Sequence, residues 1–295
     1  MTFRLFSCTT VLVVILFSGC AQKNTDRDFV VTIQTNHGSM VAILFDETPK
    51  HKENFLKLAK EKFFDSLLFH RVIPDFMIQG GDPLSKNAQP GEHLGTGGPG
   101  YTIDAEFNPQ FFHERGALSA ARLGDQQNPT KASSGSQFYV VQGRKYQEAE
   151  LTQLEQSMVY NRKNNALRTC LSMPEYANVR QQVLDKQREG NTEWLNSFFI
   201  QSDTLIKKVM PNYHAFSFTP EARARYQEVG GAPHLDGDYT VFGKIIYGME
   251  VIDKIAALPR DGADRPSEDV RMFVTVKEMT KAQIEKEFGY KYPTE

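Results

Sequence analysis

Cysteine is nearly missing from this chain: 3 among 295 residues, with Cys8 and Cys20 inside the first twenty positions. Beyond that segment Cys170 stands alone, so no internal disulfide can staple the fold and a packed core must hold it. Net charge is almost absent too, at -2. Such a balance gives no global attraction to a phosphate backbone, and nucleic acid is not an expected partner. The histidines, at positions 37, 51, 70, 93, 113, 214 and 234, lack metal-ligand spacing, and neither a metal nor a cofactor is expected. Fourteen prolines and 21 glycines are too few for a low-complexity chain, while 40% hydrophobic and 24% charged residues suit a folded one.

Long apolar runs are lacking as well. The run at Val11 to Phe17 is preceded by Arg4 and followed by Ser18-Gly19-Cys20. It falls short of the roughly 20 apolar residues that a spanning helix needs. Its order is that of an export signal, expected over residues 1–19. Leu16-Phe17-Ser18-Gly19-Cys20 resembles a bacterial lipobox, although Phe17 departs from the usual leucine. That resemblance implies cleavage before Cys20 and acylation of its thiol, with residues 20–28 as a polar tether. Several acyl chains would anchor durably where one binds only marginally. Ala21 after the cysteine implies the outer membrane of a bacterial envelope, with the domain facing the periplasm.

From Val30 the chain reads as a β-hairpin around Asn36-His37-Gly38, and Thr48-Pro49 then reads as the N-cap and first turn of a helix reaching about Lys62. Short strand-like runs follow at 67–72, 76–80, 116–121, 136–141, 240–246 and 272–278, with a second helix near 249–257. Many short strands with few helices suggest a mainly β fold closed as an antiparallel barrel, because closure removes exposed edges. Residues 145–231 break the pattern. Their Glu, Gln, Arg, Asn and Leu content, with Leu151, Leu154 and Met158 at helical spacing, reads as a helical insertion. Ser172-Met173-Pro174-Glu175 and Thr219-Pro220-Glu221 read as helix starts inside it. Residues 280–295 read as a C-terminal tail.

The segment Phe69-His70-Arg71-Val72-Ile73-Pro74-Asp75-Phe76-Met77-Ile78-Gln79-Gly80-Gly81-Asp82 mixes apolar bulk with one cation, one amide and a Gly-Gly pair. Such a mixture suits a shallow apolar groove holding one strong donor. Phe-His-Arg-Val-Ile-Pro followed by Phe-Met-Ile-Gln-Gly-Gly-Asp resembles the most characteristic run of the cyclophilins. The resemblance continues in order through Asn54-Phe55, the stretch from Gly95 to Tyr101, Gly116-Ala117-Leu118-Ser119, Gly135-Ser136-Gln137-Phe138-Tyr139, Leu235-Asp236-Gly237 and Val241-Phe242-Gly243. It covers 30–144 and 232–279, so a domain spanning 29–279 is expected, interrupted by the insertion. Gly95 to Gly100 also satisfies a dinucleotide-binding glycine pattern, but no helix follows and Pro99 lies within it, so a flexible loop is expected.

The resemblance implies a closed eight-stranded antiparallel barrel capped by two helices, and peptidyl-prolyl cis-trans isomerase activity on unfolded or extended proline-containing polypeptides. It implies Arg71 as the catalytic donor and Gln79 as the residue holding it. Phe76, Met77, Tyr139 and Leu235 match the wall of the proline pocket, while Ala121 and Gln137 match positions touching the flanking peptide backbone. Four positions depart from the best-known pattern. Arg122 replaces an asparagine acting through its backbone, Tyr139 a pocket phenylalanine, His234 a rim tryptophan and Tyr239 a rim histidine. Partners expected are proline-containing chains, the membrane through Cys20, and a protein docked on the insertion. The competing expectation is a proline-peptide-binding chaperone or scaffold in which isomerisation is incidental.

Overall fold

The computed structural model describes residues 26–211 and 213–293. The expected export signal over residues 1–19 and the expected acylation site Cys20 lie outside them. Strands β1 (Arg27–Thr35) and β2 (Gly38–Leu44) form the expected hairpin, with Thr35 paired to Gly38. Arg27 and Asp28 are strand rather than tether: they pair with Thr280 and Met279, and Asp28 accepts from Lys52 Nζ at 2.8 Å. Helix α1 (Pro49–Lys60) starts on a proline, as expected. Thr48, however, does not cap it with its side chain, because the hydroxyl is turned to Phe45 O at 3.3 Å.

Next come β3 (Leu67–Ile73), β4 (Met77–Gly80), β5 (Thr102–Ile103), β6 (Ala117–Ala120), β7 (Ser133–Ser134) and β8 (Phe138–Val141). After the insertion follow β9 (Val241–Tyr247), helix α7 (Met249–Ala256) and β10 (Arg271–Thr280), with β5 and β7 pairing separately. The barrel closes in the order β1-β10-β3-β4-β8-β6-β9-β2, every pairing antiparallel.

Alternation along each strand sorts residues between two environments. On β8, Phe138 and Val140 enter the barrel core, whereas Tyr139 and Val141 join a second apolar cluster. On β4, Ile78 goes to the core and Met77 to the second cluster. The barrel interior is rich in phenylalanine, with Phe55, Phe64 and Phe69 packed around Phe138. α1 supplies Phe55, Leu58 and Ala59 to this core, and α7 (Met249–Ala256) supplies Val251, Ile252 and Ile255.

The chain between β8 and β9 forms α2 (Glu148–Ser172), α3 (Ala177–Arg188), α4 (Thr192–Gln201), α5 (Asp203–Val209) and α6 (Pro220–Glu228). Thr219 caps α6, its hydroxyl accepting from Ala222 N–H at 3.1 Å. Ser172 starts no helix. It ends α2, Met173 before Pro174 is extended with ψ 143, and Pro174–Tyr176 is a single 3-10 turn ahead of α3. The missing proline N–H and the restricted residue before it stop the longer helix there. Cys170 is buried beside Leu167 and Ile206, inside the insertion's own apolar cluster.

The insertion leaves and returns through one narrow neck. Gly231 N–H donates to Arg144 O at 3.0 Å, and Arg115 N–H donates to Gly230 O at 3.0 Å. Gly143 sits at φ +62, and a Cβ there would run into the Gly231 backbone. Only glycine combines that conformation with such an approach.

The C-terminal residues are not a tail. α8 (Lys281–Phe288) is capped reciprocally by Thr280 and Gln283, at 3.2 and 2.9 Å. It buries Ile284 against Val30, Val41 and Met279. Its sequence offers only Ile284 and Phe288 at helical spacing, too little for the pattern to stand out.

Candidate active site

Arg71 on β3 pairs in register with Gln79 on β4, which sets the two side chains next to each other. Arg71 Nη1 donates to Gln79 Oε1 at 3.2 Å. Gln79 Nε2 donates to Gln137 Oε1 at 3.0 Å, and Gln137 Nε2 donates to Gly95 O at 2.9 Å and Gly97 O at 2.7 Å. The guanidinium thus stands at the end of a line of amides whose far end is backbone. Arg71 Nε also lies 3.8 Å from the Asp264 carboxylate, and 42% of the Arg71 side chain is exposed. It remains open to a ligand.

A cavity of about 340 Å³ opens beside it. Of the residues expected at the site, Arg71, Phe76, Met77, Gln79, Ala121, Arg122, Tyr139, Leu235 and Tyr239 line it. Two do not. Gln137 stands behind Gln79 as its support, and His234 is an exposed shoulder whose ring lies 5.1 Å from that of Phe76. Arg122 acts through its side chain: Nε donates to Asp238 O at 2.7 Å, Nη1 pairs with Asp125 at 2.7 Å, and the guanidinium lies 4.4 Å from the Tyr239 ring centre. Tyr139 is buried, and desolvation drives its phenol pKa well above the usual value, opposed in part by Ser119 and Arg122. It serves the pocket as an uncharged ring.

The far wall went unrecognised in the sequence. Arg265 is buried, donates from Nη1 to Gln89 O at 2.9 Å and Glu92 O at 3.0 Å, and pairs with Asp269 at 3.1 Å. It thereby ties down residues 89 and 92, at the start of the 91–95 segment that lines the cavity together with Phe76 and Met77. No local pattern ties residue 265 to residues 89 and 92. The expected flexible loop at 95–100 is in fact tied down, because Asp82 accepts from Gly95 N–H at 2.5 Å and Gly97 N–H at 3.3 Å.

His70, beside Arg71, is buried, and desolvation lowers its pKa from 6.5 to about 4 against the opposing pull of Asp82. Between those values the unfolded chain binds a proton that the folded chain refuses, so stability is full above pH 6.5 and lost as pH falls toward 4. The difference is worth about 3 kcal/mol. Melting temperature should therefore fall on acidification across that window, and His70→Gln should flatten the fall. Parallel losses in both proteins would exclude His70 as the responsible group.

Among the described residues no cluster of His, Cys, Asp or Glu could hold a metal ion. The cavity offers a guanidinium held by Gln79 beside an apolar wall of Phe76, Met77, Tyr139 and Leu235.

The sequence model of the family described as cyclophilin type peptidyl-prolyl cis-trans isomerase/CLD matches residues 30–160 and 195–276. A bifunctional phosphatase/peptidyl-prolyl cis-trans isomerase, provisionally so named, of Streptococcus pyogenes is 35% identical over 248 residues. The match takes in 81% of this chain but only 37% of that longer protein. A Staphylococcus haemolyticus protein provisionally named peptidyl-prolyl cis-trans isomerase is 31% identical over 249 residues, covering 83% of this chain and 89% of its own length. A cyclophilin type isomerase of Cryptosporidium parvum superposes with a TM-score of 0.49 at 21% identity, covering 85% of this chain and 98% of its own.

Proposed function

The chain belongs to the cyclophilin-type peptidyl-prolyl cis-trans isomerase family, and from that premise we propose that Arg71 accelerates X-Pro rotation by donating to the prolyl nitrogen. The partial double bond of an X-Pro amide opposes rotation by roughly 18–20 kcal/mol. At the twisted transition state the nitrogen loses conjugation and offers a lone pair that the planar ground state lacks. A donor fixed near it therefore binds the transition state better than the substrate, which is the condition for catalysis. A guanidinium stays protonated and presents a rigid fork of donors. The carrying observation is the 3.2 Å bond from Arg71 to Gln79 at the mouth of a pocket lined by Phe76, Met77, Tyr139 and Leu235. These residues suit a proline ring, and no bond is broken, so no nucleophile is required. Added to a peptide with an X-Pro bond, the protein should speed cis-trans relaxation in proportion to its concentration. An unchanged relaxation rate would refute the reading.

The substrates of this reading are extended proline-containing segments of envelope proteins, met by an enzyme tethered through acylated Cys20. The support is the signal-like and lipobox-like sequence before residue 26. No helix among the described residues is long and apolar enough to cross a membrane. Cells fed labelled palmitate should label the wild-type protein and leave Cys20→Ala unlabelled; an unlabelled wild type would end the lipoprotein proposal.

One observation favours the chaperone alternative: on α4, Ile200 is 70% exposed beside Trp194, Phe198 and Phe199, which are only half-buried. That reading would gain if Arg71→Ala lost isomerisation while fully keeping protection of an unfolded client.

A further inference from the structure

The short loop between the neck and β9 supplies two residues of the pocket wall, Leu235 and Tyr239, on either side of Asp236, Gly237 and Asp238. What holds those three middle residues comes partly from the insertion, through Tyr226 and Arg162, and partly from His113, Arg122 and Lys131 outside it, with Lys131 Nζ paired to Asp238 Oδ1. Tyr226 on α6 is fully buried, and its hydroxyl donates to Asp236 Oδ2 at 2.6 Å. The other carboxylate oxygen accepts from His113 N–H at 3.0 Å and from His113 Nδ1 at 2.8 Å. Asp236 is itself buried, and these donors satisfy both of its carboxylate oxygens. Arg162 on α2 donates from Nη2 to Asp236 O and to Asp238 Oδ2, the latter at 2.9 Å. Its guanidinium is held in place by the Phe216 ring, 4.1 Å from the ring centre. Gly237 between the two acidic residues takes φ +72, and a Cβ there would press on Arg162 at 3.3 Å.

The far side of the same loop faces the groove. Asp238 O accepts from Arg122 Nε at 2.7 Å, and Arg122 covers Tyr239, whose ring lies 6.0 Å from that of Tyr139. Leu235 and Tyr239 pack with Met77 and Tyr139 in one apolar cluster. An unbroken chain of contacts therefore runs from α2 and α6, through Asp236 and Asp238, to the ring-binding wall.

We propose that Arg162 and Tyr226 are positioning residues of the proline groove, so that the helical insertion forms the outer support of the active-site wall. The proposal rests on the isomerase reading of that groove. Neither side chain lines the cavity. Their loss lets the Leu235–Tyr239 wall relax, which weakens the grip on the proline ring in ground and transition states alike, while the donor at Arg71 is untouched. Uniform weakening raises KM and leaves kcat in place.

The test uses the full chain and a proline peptide taken to saturation. Arg162→Ala should raise KM about tenfold with kcat within about twofold of wild type. Arg162→Lys, which keeps a cation beside Asp238, should recover most of the loss. Tyr226→Phe keeps the ring in its apolar cluster and removes only the hydroxyl; with folding checked by a thermal melt, it should raise KM about threefold. Wild-type constants in both Arg162→Ala and Tyr226→Phe, or a fall in kcat at unchanged KM, would overturn the proposal while leaving the isomerase reading intact. A wild-type protein without any effect on exchange would overturn both.

Discussion

Arg71→Ala should lower kcat/KM for a proline peptide by roughly 100- to 1,000-fold, the scale on which single transition-state donors act. The same substitution should leave the melting temperature within a few degrees of wild type. Arg71 sits on β3 with 42% of its side chain exposed, so its removal opens no cavity in the barrel. What disappears is the donor at the end of the Gln79–Gln137 line. Arg71→Lys should rescue little, because an ammonium lacks the planar fork that meets Gln79 and the prolyl nitrogen together. A protease-free exchange assay beside matched thermal melts checks both halves. Comparable rates for wild type and Arg71→Ala would exclude the mechanism; a collapsed melting curve would mean that Arg71 holds the fold.

Phe138→Ala should act in the opposite way, costing about 3–5 kcal/mol of stability. Phe138 is 1% exposed on β8, with the rings of Phe55, Phe64 and Phe69 centred 5.4, 5.7 and 6.1 Å away. Truncation leaves a cavity among aromatic neighbours that are themselves locked by packing. The melting temperature should drop by on the order of 10 °C. Below the new transition, activity per folded molecule should stay close to wild type, since Phe138 faces the core and its neighbour Tyr139 faces the pocket. A drop of less than about 2 °C would show that the site can collapse around the loss.

The parts of this molecule that were legible in sequence are those whose cause is local. Short strand-like runs marked the strands, and Pro49 and Pro220 marked two helix starts. The run from Phe69 to Asp82 placed Arg71 and Gln79 on neighbouring strands, where register brings them together. The illegible parts are set by partners far along the chain. Arg265 reaches back to Gln89 and Glu92, and Asp236 is held by His113 on one side and Tyr226 on the other. Nothing in the local sequence ties Arg265 to residues 89 and 92, or Asp236 to His113 and Tyr226. α8 was missed for want of apolar residues, and Ser172 was misread because Ser-Met-Pro-Glu resembles a helix start, whereas Pro174 ends α2. Gln137 and His234 show how a resemblance can name a residue without fixing its position. One supports Gln79 from behind and the other sits on an exposed shoulder beside Phe76.

The central claim is that Arg71 stabilises the twisted bond and not the bound peptide. Exchange spectroscopy at saturating peptide tests it most directly, because bound-state rotation and affinity are read from one sample. The mechanism predicts that Arg71→Ala binds the peptide with nearly wild-type affinity while bound-state exchange slows about a hundredfold. Wild-type exchange in the bound state, with the whole loss in affinity, would contradict it.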